Sequence, residues 1–282
     1  MTYEGNSLKP KLQVSKGFDL RFDQLSRLLD FGARWNTGPR IPRDEVTGGI
    51  GLSMGQAESV SSHGVGMGLI KLGTYRPTDF GWLVHAHDLF FDRLGTLWVC
   101  HYLLGSNRRH VIWNRMTNAV LPGAIEPLTV QSAATAFQDL KEEFSDKSVN
   151  EHVPKEIGSF FKAYTYQSFR YLHYLRETGD ATYVLTESPA PVPPGAFLAI
   201  LLIYRDRFHA GASGLEVGAI CTADHSPGRL LHLDEGRVRA LLNQLHETGQ
   251  LAIEAKADLD QVRFKPQQTW IDAMQEHYGE AK

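Results

Sequence analysis

Apolar residues first fall into a regular pattern between Phe18 and Trp35. Phe22, Leu25, Leu28, Leu29 and Ala33 recur at helical spacing and predict one amphipathic helix, stopped by the turn cluster Asn36-Thr37-Gly38-Pro39. Pro42-Arg43-Asp44-Glu45-Val46 then opens a short helix, Gly48-Gly49-Ile50-Gly51 turns, and the stretch from Ser53 to Val60 opens another. Leu69-Ile70-Lys71-Leu72 and the segment Tyr75 to Leu83 follow as the two sides of a β wing. Helix, helix, tight glycine turn, helix and wing is the order of a winged helix-turn-helix, whose last helix can lie in the major groove of DNA.

Leu94 to Leu104 is apolar on nearly every side, which predicts a central, buried helix. A short helix reaching Asn118 follows. Thr129 to Phe144 and Val149 to Tyr166 read as two amphipathic helices packed antiparallel, and Leu172 to Leu185 as a hairpin turning at Glu177-Thr178-Gly179-Asp180. The proline cluster from Ser188 to Pro194 reads as a linker, and Pro193 or Pro194 can open the core-like helix Gly195 to Arg207. Beyond it the pattern predicts a short helix at Leu215 to Thr222 and a longer one at Asp234 to Thr248 capped by Gly249. Strands at Leu251 to Ala255 and Gln261 to Phe264 come next, and a helix from Thr269 to Tyr278 closes the chain.

The fold class expected is mainly α with small β wings (α+β). The segments are an arm at 1–17, a winged helix-turn-helix at 18–88, a helical middle at 89–187, a proline-rich linker at 188–194 and a winged-helix-like module at 195–282.

Composition sharpens this in three ways. With 282 residues, 42% hydrophobic, the chain can bury a substantial core. Its net charge of −3 excludes a polycation that coats nucleic acid, so any DNA binding must use a local basic face or a partner. The two cysteines, Cys100 and Cys221, each sit in an apolar run and read as buried thiols of a reducing compartment. Met1 to Lys16 is polar throughout, unlike a signal peptide, and the most apolar segment, Phe197 to Tyr204, is too short for a membrane span. A cytoplasmic protein with no membrane partner is expected.

Candidate chemistry falls in two places. The helix beginning at Ser53 presents Gln56, Ser61, Ser62 and His63, short polar groups suited to base edges or phosphates, but it carries no arginine or lysine. Grip would come from Arg40, Arg43, Lys71 and Arg76 at its flanks and wing, and from Arg108, Arg109 and Arg115 around Trp113. The same unit could equally be a packing or docking module, and the three arginines a solvated face. His85, His87, Asp88 and Asp92 form the densest group of metal-ligand types. His-x-His on a strand would put both rings on one face beside a carboxylate, a set for Mg or Mn that could assist phosphodiester hydrolysis. A polar loop joining wing and helix is the alternative. His101, within the apolar helix, reads as a hydrogen-bonded core residue, and Glu254-Ala255-Lys256 as the end of a wing strand.

Several short motifs carry a family resemblance: Ile50-Gly51-Leu52-Ser53, Pro77-Thr78-Asp79-Phe80-Gly81, Thr96-Leu97-Trp98 with His101 and Leu104, Ser106-Asn107, Trp113, Asn118, and Ser226-Pro227-Gly228-Arg229 before Leu233-Asp234. In order and coverage they resemble the bacterial family catalogued as domain of unknown function 4007. It departs from that pattern at Met54-Gly55, where a Lys-Asn pair would stand. The resemblance implies a DNA-directed role in bacterial phosphorothioate modification and antiphage defence. One member nicks DNA beside a cysteine desulfurase, an ATPase and a PAPS-reductase-like enzyme. What it implies here is a metal-dependent DNA nicking endonuclease, or alternatively a non-catalytic winged-helix regulator or scaffolding subunit. The partners would be double-stranded DNA and other subunits of a DNA-sulfur modification complex; a homodimer is the further possibility, since winged-helix proteins commonly read DNA as dimers.

Overall fold

A computed structural model describes residues 9–256 and 259–280; the first eight residues of the expected arm lie outside them. Helix α1 (Phe22–Arg34) buries Leu25, Leu28 and Leu29 on the predicted face. Helix α2 (Arg43–Ile50) runs through the two glycines expected to turn and stops at Gly51, whose φ of +64° is a left-handed cap. Ser53 and Gln56 cap each other at the start of α3 (Met54–Gly66) in a reciprocal capping box. α1, α2 and α3 pack on one another, as the helix-turn-helix order requires.

The expected wing is reduced to a tight turn. One bridge joins Ile70 to Pro77, and Thr78 then caps α4 (Asp79–His87) by accepting from the Gly81 amide. Phe80 to Leu83 is therefore helix, not strand. Gly81 lets α4 lie against the backbone, since a Cβ there would stand 2.1 Å from the Leu69 carbonyl oxygen.

Every residue of α5 (Leu94–Gly105) after Leu94 is buried, as its all-round apolar sequence demands. The chain continues through α6 (Val111–Arg115) and a π-helical turn, Met116–Val120. Of the expected helix at 129–144, only α7 (Val130–Ala134) is α-helical; Thr135–Glu142 tightens into 3-10 geometry. Helix α8 (Asp146–Thr165) packs on both pieces. Strands β1 (Leu175–Gly179) and β2 (Thr182–Leu185) form the predicted antiparallel hairpin, with Leu175 opposite Leu185. Pro194 occupies the first turn of α9 (Pro194–Phe208), which lies against α5.

The C-terminal region runs β3 (Gly214–Glu216), α10 (Val217–Thr222), α11 (Pro227–Leu230), α12 (Glu235–Glu247), β4 (Leu251–Lys256) and β5 (Leu259–Phe264). Leu215, expected to open a helix, instead pairs with Val262, and the three strands form an antiparallel sheet in the order β3-β5-β4. Helix α13 (Trp270–Glu280) then returns to pack on α9 and on α4. Its Trp270 meets Phe80, its Tyr278 ring stacks on His87, and the Tyr278 hydroxyl hydrogen-bonds the Thr96 hydroxyl at 2.7 Å.

The arm is not a free tail from Lys9 onward. The Lys11 amide donates to the Arg109 carbonyl, and Leu12, Val14 and Ser15 are buried. The buried Glu156 carboxylate accepts from the amides of Val14 and Ser15 at 3.0 and 2.9 Å, from the Ser15 hydroxyl at 2.6 Å and from the Trp113 indole at 3.2 Å. Among the described residues no helix is long and apolar enough to cross a membrane.

Candidate nucleic-acid interface

The four residues expected to hold a divalent ion do not converge. Because His85 and His87 lie on helix α4 rather than on a strand, they sit about 200° apart around its axis instead of on one face. His85 Nε2 turns to Asp30 at 3.2 Å, while the His87 ring lies on Tyr278. Asp88 is spent on the chain itself: its two carboxylate oxygens accept from the Asp92 and Arg93 amides at 2.8 and 3.2 Å, clipping the turn into α5. Burial pushes the Asp88 carboxyl above its ordinary value, against the opposing pull of Thr96 and those amides. Asp92 is exposed. Among the described residues no group of three or more His, Cys, Asp or Glu side chains could hold a metal ion, so these positions do not fit the expected Mg or Mn site. Thr78 followed by Asp79 was the helix-start pattern that would have placed the histidines correctly.

The residues expected to touch DNA divide into exposed and committed groups. Arg40, Arg43, Ser53 and Lys71 are exposed, with Arg43 3.3 Å from Glu58 and Lys71 in the turn that replaces the wing. Ser53 and Gln56 cap α3, and Ser62 accepts a hydrogen bond from Lys11 at 3.2 Å. Ser61 is half-buried. His63 cannot face DNA: it is fully buried, donates from Nδ1 to the Ser59 carbonyl at 3.0 Å and packs edge-on against Trp113. Burial drives its imidazole down to about 4. Arg76 binds the Trp35 carbonyl. Arg108 is exposed and lies over the Phe208 ring, whereas the Arg109 Nε is buried without a hydrogen-bond partner among the described residues. Arg115 is held by Asp139 at 2.6 Å and by the Ala136 carbonyl, so it braces the 3-10 segment rather than gripping a phosphate.

The motif residues behind the family resemblance turn out to build the core. His101 donates from Nε2 to the Leu230 carbonyl and accepts from the Tyr164 hydroxyl at Nδ1, and burial lowers it to about 4. Asn118 accepts from the His225 amide at 2.7 Å, while the His225 carbonyl accepts from Tyr102. A Cβ at Gly228 would stand 2.4 Å from the Cys221 carbonyl oxygen, so α11 can pack there only with glycine.

The feature that residue chemistry missed is α12. Its buried side, Val238, Leu242 and Leu245, seats it on the core, and its other side exposes Arg239, Ala240, Asn243 and Gln244. The β4–β5 hairpin follows it directly. Two exposed amides a helical step apart, opposite an apolar stripe, were the available signal. Arg239 is paired with Glu235 at 2.8 Å and Asp260 at 2.6 Å, so the face is nearly neutral.

The family model for proteins of unknown function DUF4007 matches residues 67–278, three-quarters of the chain and all of the core motifs after α3. The chain belongs to the DUF4007 family. This DUF4007 chain also shares its fold with two crystal structures of SspB, one of them magnesium ion-bound. Each aligns with a TM-score of 0.77 at 16% identity, over 94% of this chain and 87% of the other. The structural likeness extends to the N-terminal helices that the family match leaves out. No curated protein matches the chain.

Proposed function

We propose that this DUF4007 protein is a duplex-DNA-binding component of a bacterial phosphorothioate modification and antiphage defence system. The observation that carries the reading is the C-terminal order β3-α10-α11-α12-β4-β5, which leaves one face of its longest helix exposed beside a β hairpin. An exposed third helix of this kind suits the major groove. Asn243 and Gln244 supply the amide chemistry that reads adenine edges. Arg40, Arg43, Lys71 and Arg108 supply exposed cations for the phosphates. The SspB-like fold and the family resemblance support the setting, which brings other subunits of a sulfur-modification complex as partners. Because Arg239 and Arg43 already face acids, phosphate contacts compete with internal pairs, and the salt dependence of binding is set by the exposed Arg40, Lys71 and Arg108.

The test is fluorescence anisotropy with a labelled duplex at rising salt, comparing the parent with Asn243→Ala/Gln244→Ala and with Arg40→Ala/Lys71→Ala. The first variant should lose discrimination between sequences, and the second should weaken all duplexes alike. No binding by the parent at about 100 µM in low salt, the weak end of non-specific affinity, would sink the proposal.

The magnesium-bound SspB structure favours a second reading, in which the chain nicks one strand. Mg usually takes one or two protein carboxylates and completes its shell with water and substrate phosphate, so DNA itself could supply the missing donors. No step is assigned to His85, His87 or Asp88, whose side chains are engaged elsewhere. Of the four, Asp92 keeps a solvent-facing carboxylate. Supercoiled plasmid incubated with Mg or Mn against EDTA decides this reading: an absence of nicked circles at high protein removes it.

A further inference from the structure

On the face formed by the end of α8 and the start of β1, a groove of about 360 Å³ is lined by Tyr166, Arg170, Tyr171, His173, Arg176 and Glu177. Its walls are built from a segment held down by side chains that enter the core. Phe169, Leu172 and Tyr174 are fully buried, and Phe169 stacks on Tyr164 at 5.1 Å. The Phe169 amide closes back on the Ala163 carbonyl, a 3-10 turn spans Arg170–Leu172, and His173 reverses the chain with a φ of +46°. Anchoring of this kind fixes what the segment shows to solvent, and what it shows are two large aromatic rings. Tyr166 and Tyr171 are 56% and 55% exposed, among the most exposed large hydrophobic side chains of the described residues.

The charge around these rings is net positive, two arginines against one carboxylate. The Arg170 guanidinium lies over the Tyr171 ring at 4.5 Å, donates to the Tyr171 hydroxyl at 2.6 Å and to the Tyr166 carbonyl at 3.3 Å, and makes no ion pair with an acid among the described residues. Arg176 likewise has no acidic partner among them, and Glu177 is the one carboxylate lining the groove. Exposed aromatic rings interleaved with unpaired arginines, on rigid backbone, form the surface that stacks unpaired bases while guanidinium groups hold the adjoining phosphates. The volume is within the range of small-ligand pockets, of which about 300 Å³ is the lower end. A duplex offers no free base face to such a groove.

We infer that the Tyr166–Arg170–Tyr171 groove binds unpaired nucleotides of single-stranded DNA by stacking. The inference rests on the reading of this protein as DNA-directed, but it assigns a separate site from the exposed face of α12.

The experiment measures anisotropy of a fluorescein-labelled thymidine oligonucleotide and, in parallel, of a labelled duplex, with the full chain and four variants. Tyr171→Ala and Tyr166→Ala should each weaken the oligonucleotide about ten-fold, as loss of one stacked base does. Tyr171→Phe should retain the affinity, because stacking needs the ring and not the hydroxyl. Arg176→Ala should weaken binding and flatten its salt dependence. Duplex affinity should stay within two-fold in all four, and circular dichroism checks that each variant is folded. Oligonucleotide binding by the parent that Tyr166→Ala and Tyr171→Ala leave within two-fold would overturn the assignment, as would no oligonucleotide binding by a parent that binds duplex. Lost duplex binding with intact oligonucleotide binding would instead count against the α12 reading alone.

Discussion

Acid should destabilise this protein before its carboxylates titrate, because His63, His101, His110 and His225 are buried and burial holds their imidazoles below the ordinary value. His63, His101 and His110 are each no more than 2% exposed. Burial lowers His63 and His101 to about 4 and His110 to about 3, the last helped by His63, Lys11 and Arg109 nearby. For a group whose folded pKa is depressed, stability is fully present above the unfolded value near 6.5 and is lost as pH falls through the window down to the folded value. At pH 5 the unfolded chain gains about 1.5 pH units of protonation free energy per histidine, or about 2 kcal/mol, that the folded chain does not. Three such residues cost about 6 kcal/mol between pH 8 and pH 5, comparable to the whole stability of many domains. Asp88 and Glu156 work in the opposite sense, since burial raises both and favours their protonated forms as pH falls. With an unfolding entropy of about 0.6 kcal/mol/K for a chain this long, the melting temperature should drop by about 10 °C. Circular dichroism melts at pH 8, 7, 6 and 5 measure it, and His101→Gln should flatten part of the slope. A melting temperature constant within 2 °C from pH 8 to pH 5 would refute the reasoning.

Other consequences are equally direct. Glu156→Ala strands the donors of Val14, Ser15 and Trp113 and should cost about 3–5 kcal/mol, seen as a melting-temperature loss of about 5–8 °C and faster proteolysis of the arm. Gly81→Ala drives a methyl into the Leu69 carbonyl and should destabilise by about 1–3 kcal/mol or more, whereas Gly48→Ala, with nothing within 4 Å, should gain up to ~1 kcal/mol of helix propensity. Both are read by urea denaturation. His85→Ala/His87→Ala should leave any Mg-dependent change in DNA affinity or nicking intact, because neither ring is placed to bind an ion shared with the other. A loss of metal dependence in that double variant, with the fold retained, would contradict this.

Periodicity carried most of the helical architecture. α1, α5, α8, α9 and α12 lie where their apolar spacing put them, because α1, α8 and α12 each bury one stripe while α5 and most of α9 are buried on every side. The β4–β5 hairpin was equally plain from its alternation. The wing expected at 69–83 fails at its second side because Thr78 caps a helix that begins at Asp79. That one error also placed His85 and His87 on a strand and made a metal site of them. The arm was illegible for a different reason: the Glu156 carboxylate that holds Ser15 is 141 residues away, and no local pattern reports so distant a partner. His63 looked available because neighbouring serines are polar, yet Trp113 and α3 enclose it. The exposed polar face of α12 follows from its apolar stripe, which leaves Asn243 and Gln244 on the opposite side.

The clasp of α13 across α4 and α9 has a mechanical consequence. Through Trp270 against Phe80, Tyr278 against His87 and the Tyr278–Thr96 hydrogen bond, α13 ties α4 to the start of α5. On the proposed DNA-binding reading a duplex adapts to this frame, and smooth bending of a site of 20–30 base pairs costs about 1–6 kcal/mol. Selection would then favour sequences that bend cheaply, such as those with pyrimidine–purine steps, at positions no side chain touches.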